Sequence, residues 1–130
     1  MSLLLLLSVA LAAEPAVDHS KPTEVVAALF KAADTRDFTL LAGLCDPRHE
    51  NDGDTDCVCA LAPGYEPHKC PSESHNRLTA DDYVKNFAGG KVNGEPKILK
   101  EQAAVSFTTP TFSETMSLVA RDGLWYLSSF

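Results

Sequence analysis

The sequence contains no apolar run long enough to span a membrane. Its longest run, LLLLLSVAL at residues 3–11, is much shorter than the roughly 20 residues that a membrane-spanning helix needs. The following ALAAEP has small residues at the alternate positions that signal peptidase prefers, although no Lys or Arg precedes the apolar run. We expect residues 1–13 to be a signal peptide, residues 14–130 to form one domain, and the mature protein to be exported, periplasmic or secreted, without stable membrane insertion.

Basic residues are few. The chain has 11 Lys and Arg against 18 Asp and Glu, a formal net charge of -7, and the basic residues are scattered singly. Nucleic acids and anionic lipid surfaces both require clustered positive charge, so neither is an expected partner.

A Cys-x-x-Cys motif, typical of redox sites, is also missing. All four cysteines lie in LCDPRHENDGDTDCVCALAPGYEPHKCP at residues 44–71, and they are Cys45, Cys57, Cys59 and Cys70. A zinc site could use their thiolates with His49, His68 or His75, but structural zinc sites favour ligand pairs two to four residues apart at both ends. An even number of cysteines in an exported chain favours disulfides, so we expect a disulfide-stapled loop at 46–77.

A direct bridge between Cys57 and Cys59 would close a strained ring. We therefore expect one of these two cysteines to bond Cys45 and the other to bond Cys70, without deciding which. Asp52, Asp54 and Asp56 alternate as in a calcium loop, but Cys57 and Pro63 stand where that loop needs glycine and glutamate. We predict no metal and no cofactor.

Three segments have helical signals. Apolar residues recur at helical spacing in two successive runs: Val26, Leu29, Phe30 and Ala33, then Phe38, Leu41, Ala42 and Cys45. Pro22 and Glu24 suit the first turn of helix one, and Pro47 ends helix two. In LTADDYVKNFAGG, Thr79 can cap a third helix, and Gly89 and Gly90 stop it.

From Lys97 onward the apolar period is two, which predicts strands. Asp122-Gly123 predicts a tight hairpin that pairs Ala120 with Trp125 and Leu118 with Leu127. A second turn at Thr109-Pro110 would pair Thr108 with Thr111 and Val105 with Glu114. Both turns give one mainly apolar and one mainly polar face, which predicts an antiparallel sheet covered by helices on one side. The apolar residues on the polar face are a candidate homodimer contact: Val119, Leu124, Tyr126 and Phe130.

The same register places Glu101 and Glu114 on the apolar face. A buried carboxylate has its pKa raised by desolvation, so each is a candidate general base or ligand anchor. They would lie about 13 Å apart along the strands, too far to act as a pair. A bulge or a position at the open rim would instead expose them to water.

The chain resembles the nuclear transport factor 2-like superfamily, which includes ketosteroid isomerases and SnoaL-like cyclases. The resemblance lies in PTEVVAALFKAADTRDFTLLAGL at residues 22–44 and ARDGLWYLSSF at residues 120–130. It implies an α+β fold with N-terminal helices packed on the concave face of a curved antiparallel sheet, a cystatin-like cone. Residues 46–77 depart from the usual family pattern, in which a first strand pair stands there.

The resemblance also implies a conical pocket, closed in many members, whose lining residues here would be Phe30, Tyr83, Phe107, Phe112, Met116 and Trp125. A fold so widely used does not fix an activity. The leading hypothesis is a non-enzymatic binding module that takes a small ligand in the cone or a protein at the acidic disulfide loop. The alternatives are a small lyase or isomerase with a lone carboxylate base, and a periplasmic inhibitor or immunity-type protein.

Overall fold

The structure is a computed structural model, and it describes residues 17–71 and 77–130. The predicted signal peptide and His75 lie outside these ranges. Along the chain, helix α1 (Pro22–Thr35) is followed by a 3-10 helix (Phe38–Gly43) and then by helices α2 (Gly53–Cys59) and α3 (Ala80–Phe87). The strands come next: β1 (Lys91–Val92), β2 (Lys97–Leu99), β3 (Gln102–Thr108), β4 (Ser113–Arg121) and β5 (Leu124–Ser129).

The strands form one strongly curled antiparallel sheet in the order β1-β3-β4-β5. Strand β2 also pairs with β3, on the same edge as β1. Helix α1 contacts α3 and also strands β1, β3 and β5, so the helices cover one face of the sheet. The α+β class and the helix-covered sheet are therefore confirmed.

Local sequence explains where the helices begin. Pro22 opens α1, where its missing N–H costs nothing. The hydroxyl of Thr79 accepts a hydrogen bond from the N–H of Asp82, which confirms the predicted cap of α3. Helix two is shorter than predicted: it is a 3-10 helix that ends at Gly43, and Cys45 instead lies beside Leu127 of β5.

The hairpin at Asp122-Gly123 forms as predicted. Both residues have positive φ, 52° and 79°, as a type I′ turn requires, and Ala120 pairs with Trp125 and Leu118 with Leu127.

The predicted register between β3 and β4 is wrong by two residues. Thr108 pairs with Ser113, and Val105 pairs with Met116 instead of Glu114. The cause is a four-residue loop: the Thr109 hydroxyl accepts hydrogen bonds from the N–H groups of Thr111 and Phe112 and so stabilises a wider turn. Because the shift is even, every side chain stays on its predicted face.

Two further corrections concern strand ends. The predicted strand from Lys97 is broken at Lys100, whose φ of 56° turns the chain and separates β2 from β3. A bulge in β5 pairs Ser117 with Ser129 while Leu118 pairs with Leu127, so Phe130 turns to the helix side and its ring lies 5.5 Å from that of Phe87. Phe130 is therefore not on the polar face.

The outer edge of β5 is occupied by other parts of the chain. The N–H of Trp125 donates to the His19 carbonyl at 2.7 Å, and the N–H of Leu127 donates to the Leu44 carbonyl at 2.7 Å. The Asp52 N–H donates to the Ser128 carbonyl at 2.9 Å. These contacts place the cysteine-rich part of the chain directly beside the sheet.

Candidate functional site: the cross-linked segment and the outer groove

Residues 45–71, called the cross-linked segment below, contain two disulfides. Cys45 is bonded to Cys59, and Cys57 to Cys70. The prediction that both central cysteines bridge outward is confirmed, and the pairing that the sequence left open is now assigned. All four sulfurs are engaged in these disulfides, and no thiolate is left as a zinc ligand while the bonds are intact. Within the described residues, no group of three or more His, Cys, Asp or Glu side chains is placed to hold a metal.

The segment is not an irregular loop throughout, because its centre is helix α2. Asp52 caps this helix by accepting a hydrogen bond from the N–H of Thr55 at 2.8 Å. The α2 side chains from Thr55 to Cys59 are all buried. Val58 of α2 belongs to the same buried hydrophobic cluster as the residues of α1 and the sheet, so the predicted loop contributes to the main core.

Asp56 is the internal anchor of the segment. Its carboxylate is 1% exposed, and it accepts hydrogen bonds from the backbone N–H groups of His68 and Lys69, both at 2.7 Å, and of Cys70 at 2.9 Å. The Tyr65 hydroxyl donates to the second oxygen at 2.7 Å. Burial alone would raise the pKa of Asp56, but these donors outweigh it and hold the pKa below its usual value of 3.8. Asp56 is thus a buried carboxylate anion that organises residues 65–70.

Asp46 anchors the segment to the sheet. It is also 1% exposed, and Arg121 of β4 binds it with two hydrogen bonds, from Nε at 3.0 Å and from Nη2 at 2.8 Å. Burial opposes ionisation of Asp46, yet the hydrogen bonds from Arg121 and from the N–H of Arg48 lower its pKa. Arg121 also contacts Glu50 at 2.7 Å, but that carboxylate is 67% exposed. The two hydrogen bonds between the planar guanidinium of Arg121 and the carboxylate of Asp46 set the position of the segment relative to β4 and also balance the Asp46 charge.

Next to this ion pair, the sheet face away from the helices carries a groove of about 690 Å³, called the outer groove below. Its floor contains small residues: Ala104 of β3, Ser117 of β4 and Ser129 of β5. Lys97 and Leu99 line one end, and Asp46, Glu50 and Arg121 line the other. The groove is open, is lined by both polar and apolar side chains, and is bounded by the cross-linked segment at Asp46 and Glu50.

The six predicted pocket residues lie between the helices and the sheet. Phe30, Tyr83, Phe107, Met116 and Trp125 are buried, and Phe112 is half-buried against them. The rings of Phe30 and Phe107 lie 5.4 Å apart, and those of Phe107 and Phe112 lie 5.9 Å apart. Burial raises the pKa of Tyr83, whose hydroxyl donates to the Leu29 carbonyl. These side chains fill the space between helices and sheet as a packed core.

The two candidate carboxylates are both exposed. Glu101 lies in the turn between β2 and β3 and lines the outer groove, and Glu114 lies at the start of β4, opposite Phe107. They are not brought together, and the burial on which the general-base hypothesis rested is absent at both.

The roles of Asp56, Asp46 and Arg121 have no signal in the sequence pattern. The partners of Asp56 are 9 to 14 residues away, and Arg121 is 75 residues from Asp46, so no local spacing indicates either interaction. A weak signal existed for α2, because the acids of DGDTD suit a cap and a first helical turn.

Comparison of the chain with protein-family models, with curated proteins and with solved structures gives no match. The resemblance to the nuclear transport factor 2-like superfamily stays a prediction. The two disulfides are typical of proteins of an oxidising compartment. Across residues 17–71 and 77–130, no helix has both the length and the apolar character needed to cross a membrane.

Proposed function

We propose that the protein is an exported, non-enzymatic binding module and that it binds a protein partner with a basic surface at the cross-linked segment. The observation that carries this proposal is that the most acidic part of the chain is also held rigid. Of the charged residues at positions 45–71, six are Asp or Glu and two are Lys or Arg. Four of these acids are exposed: Glu50, Asp52, Asp54 and Glu66.

Rigidity matters because an ordered surface loses little conformational entropy when a partner binds. Each end of the segment is fixed by a different interaction: the Asp46–Arg121 ion pair joins it to β4, and the Asp56 carboxylate together with Cys57–Cys70 fixes residues 65–70. The exposed carboxylates therefore keep their arrangement in the free protein. A fixed pattern of negative charge favours fast encounter with a positive surface and discriminates among partners.

The outer groove supports the same proposal, because Asp46 and Glu50 belong to both features. A partner that covers the acidic surface can place an extended stretch or a long side chain across the small residues of the groove floor. The packed core favours this outer surface over a ligand inside the sheet. An inhibitor or immunity-type role is a special case, in which the partner is an enzyme with a basic site.

For the fold, we propose a cystatin-like cone of the nuclear transport factor 2-like type. The support is the order of its elements, with helices first and a closing hairpin at Asp122-Gly123 that ends in an aromatic-rich strand. For the location, we propose the periplasm or the extracellular medium. No contact in the described residues favours the lyase or isomerase alternative, since Glu101 and Glu114 are both exposed.

The test uses charge reversal with a matched control. Asp54→Lys/Glu66→Lys changes two exposed carboxylates of the segment, and Glu95→Lys/Glu114→Lys makes the same change in net charge elsewhere on the surface. The immobilised wild type and both variants are exposed to the extracellular or periplasmic fraction of the source organism, at about 0.15 M and about 0.5 M salt, and retained proteins are quantified by mass spectrometry.

We expect a basic protein that the wild type and the Glu95/Glu114 variant retain and that the Asp54/Glu66 variant loses by about tenfold or more, with retention also lost at high salt. Once purified, this basic protein should bind the wild type and the Glu95/Glu114 variant with similar affinity and the Asp54/Glu66 variant more weakly. Equal binding to both variants would overturn the proposal, because it would show that the acidic segment is not the contact surface.

A further inference from the structure

Two histidines of the cross-linked segment lie against each other although they are 19 positions apart in the chain. The ring centroids of His49 and His68 are 3.8 Å apart, at an interplanar angle of 40°. Both residues are exposed, so burial does not force the contact. The rings meet because of where the backbone places them.

Each histidine is held by a hydrogen bond from its backbone N–H to one of the two buried aspartates. The N–H of His49 donates to the Asp46 carbonyl at 2.9 Å, in a turn whose Arg48 N–H is held by the Asp46 carboxylate at 2.9 Å. The N–H of His68 donates to the Asp56 carboxylate at 2.7 Å. The turn at His49 is held by Asp46, which is bound to β4, and the turn at His68 is held by Asp56 of α2. The two imidazole rings therefore meet from two separately anchored parts of the chain.

The backbone of His49 has an uncommon conformation, which Arg36, Lys100 and Asp122 also adopt. Its φ is 57°, a left-handed conformation that is uncommon for residues other than glycine. Such a conformation costs free energy and persists only where the surroundings impose it, and it is frequent at functional sites. This conformation is part of the turn in which the His49 ring contacts His68.

We propose that His49 and His68 form a binding site for a late first-row divalent transition-metal ion, with water completing the coordination. Neutral imidazole is the commonest protein ligand for Cu²⁺, Ni²⁺ and Zn²⁺, and Cu²⁺ binds most tightly in this series. The preorganised pair removes much of the ordering cost of chelation. Arg48 and Glu50 flank His49 and Lys69 follows His68, so the two imidazoles, and not the local charge, supply the affinity. This site does not depend on the protein partner proposed above.

The test titrates the intact, oxidised protein with Cu²⁺, Ni²⁺ and Zn²⁺ in separate experiments, in a non-coordinating buffer followed by calorimetry. His49→Asn is the first variant, because asparagine also tolerates the left-handed backbone, and His68→Gln is the second. His19→Gln is the control, since its ring contacts Tyr126 and the Trp125 carbonyl and neither histidine of the pair.

One ion should bind per chain at the pair, with Cu²⁺ bound most tightly. Loss of a second-shell partner alone costs about 10–100-fold in metal affinity, so each histidine variant should lose at least about tenfold while His19→Gln keeps the wild-type affinity. Nitrogen hyperfine structure in the Cu²⁺ spectrum should be reduced in both variants. Binding that neither variant weakens would identify an adventitious ion only and overturn the proposal, as would the absence of binding by the wild type.

Discussion

The carboxylate of Asp56 accepts a hydrogen bond from the N–H of Cys70 at 2.9 Å, and the sulfur of Cys70 is bonded to Cys57, the residue that follows Asp56. One buried anion and one covalent bond therefore hold the same two pieces of chain together. We therefore expect the Asp56 hydrogen bonds to bring Cys70 to Cys57 before oxidation.

Replacement of this anchor should affect both pairing and stability. Asp56→Asn removes the charge that three N–H groups share, and we expect the oxidised protein to lose about 2 kcal/mol of unfolding free energy, measured by urea denaturation. Peptide mapping after oxidative refolding should show a larger share of non-native disulfides. The control is Asp54→Asn, an exposed position of the same helix, which should refold as the wild type does; similar mispairing in both variants would contradict this role.

Asp56 also gives the stability a defined dependence on pH. Its pKa in the folded protein lies below the ordinary value of 3.8, so the ionised form is the one that stabilises the fold. That contribution is fully present above the ordinary value and is lost as the pH falls through the folded value. Urea unfolding at several pH values should therefore show a loss of stability below about pH 4 that is smaller in Asp56→Asn than in the wild type. Parallel curves for the two proteins would contradict the assignment.

Arg121 and Asp46 should show strong coupling. Arg121→Met leaves a carboxylate that is 1% exposed without its partner, and we expect a loss of about 3 kcal/mol. The double variant Arg121→Met/Asp46→Asn should recover part of that loss, because the unpaired charge is gone. Glu50→Gln serves as the comparison: its carboxylate is mostly exposed, and the change should stay within about 1 kcal/mol. Additive effects in the double-mutant cycle would argue against the buried pair.

Gly90 lies against the ring of Phe30. A Cβ atom added at Gly90 would lie 2.8 Å from Phe30 Cγ and closer still to two other ring atoms. Gly90→Ala should therefore lower the unfolding free energy by about 1–3 kcal/mol, the usual cost of overpacking. At Gly43 an added Cβ meets nothing within 4 Å, so Gly43→Ala is the matched control and should be close to neutral. Equal thermal shifts for the two variants would show that the ring can move away.

The two disulfides should contribute unequally. Each closes a loop of similar size, with separations of 14 and 13 residues, and a loop of that length corresponds to about 3 kcal/mol. Cys57→Ser/Cys70→Ser should cost less than Cys45→Ser/Cys59→Ser, because the Asp56 hydrogen bonds still hold residues 68–70 in the first variant. Urea unfolding of both variants measures the difference, and the reverse order would show that Asp56 depends on its neighbouring disulfide.

Features with local causes could be predicted from the sequence. The Thr79 cap, Pro22 at the start of α1 and the Asp122-Gly123 hairpin each depend on residues a few positions apart. The faces of the sheet were also predictable, since an alternating pattern survives an even error in register. The wider turn at Thr109 could not be predicted, because it depends on the Thr109 hydroxyl, which accepts hydrogen bonds from the N–H groups of Thr111 and Phe112 in place of a backbone carbonyl.

The candidate site was predictable only in part. Cysteine count and ring strain indicated that Cys57 and Cys59 bridge outward, but the choice between the two pairings depends on which sulfurs α2 directs toward each neighbour. The positions of Glu101 and Glu114 depend on where the strands end, and a break at Lys100 moves Glu101 into a turn. Contacts such as Asp46–Arg121 join distant parts of the chain and exist only in the folded sheet.

The two edges of the sheet are protected by different means. On the β5 side, the backbone groups of Trp125, Leu127 and Ser128 are already engaged by residues 19, 44 and 52. On the opposite side, β1 and β2 carry Lys91 and Lys97, with Lys100 just beyond, and charged lysines discourage an added strand. Without these lysines, the side chains of Ile98 and Leu99, which are 55% and 75% exposed, would make this edge prone to aggregation. Both edges of the sheet therefore resist the addition of a further strand, which disfavours fibril-like growth from them.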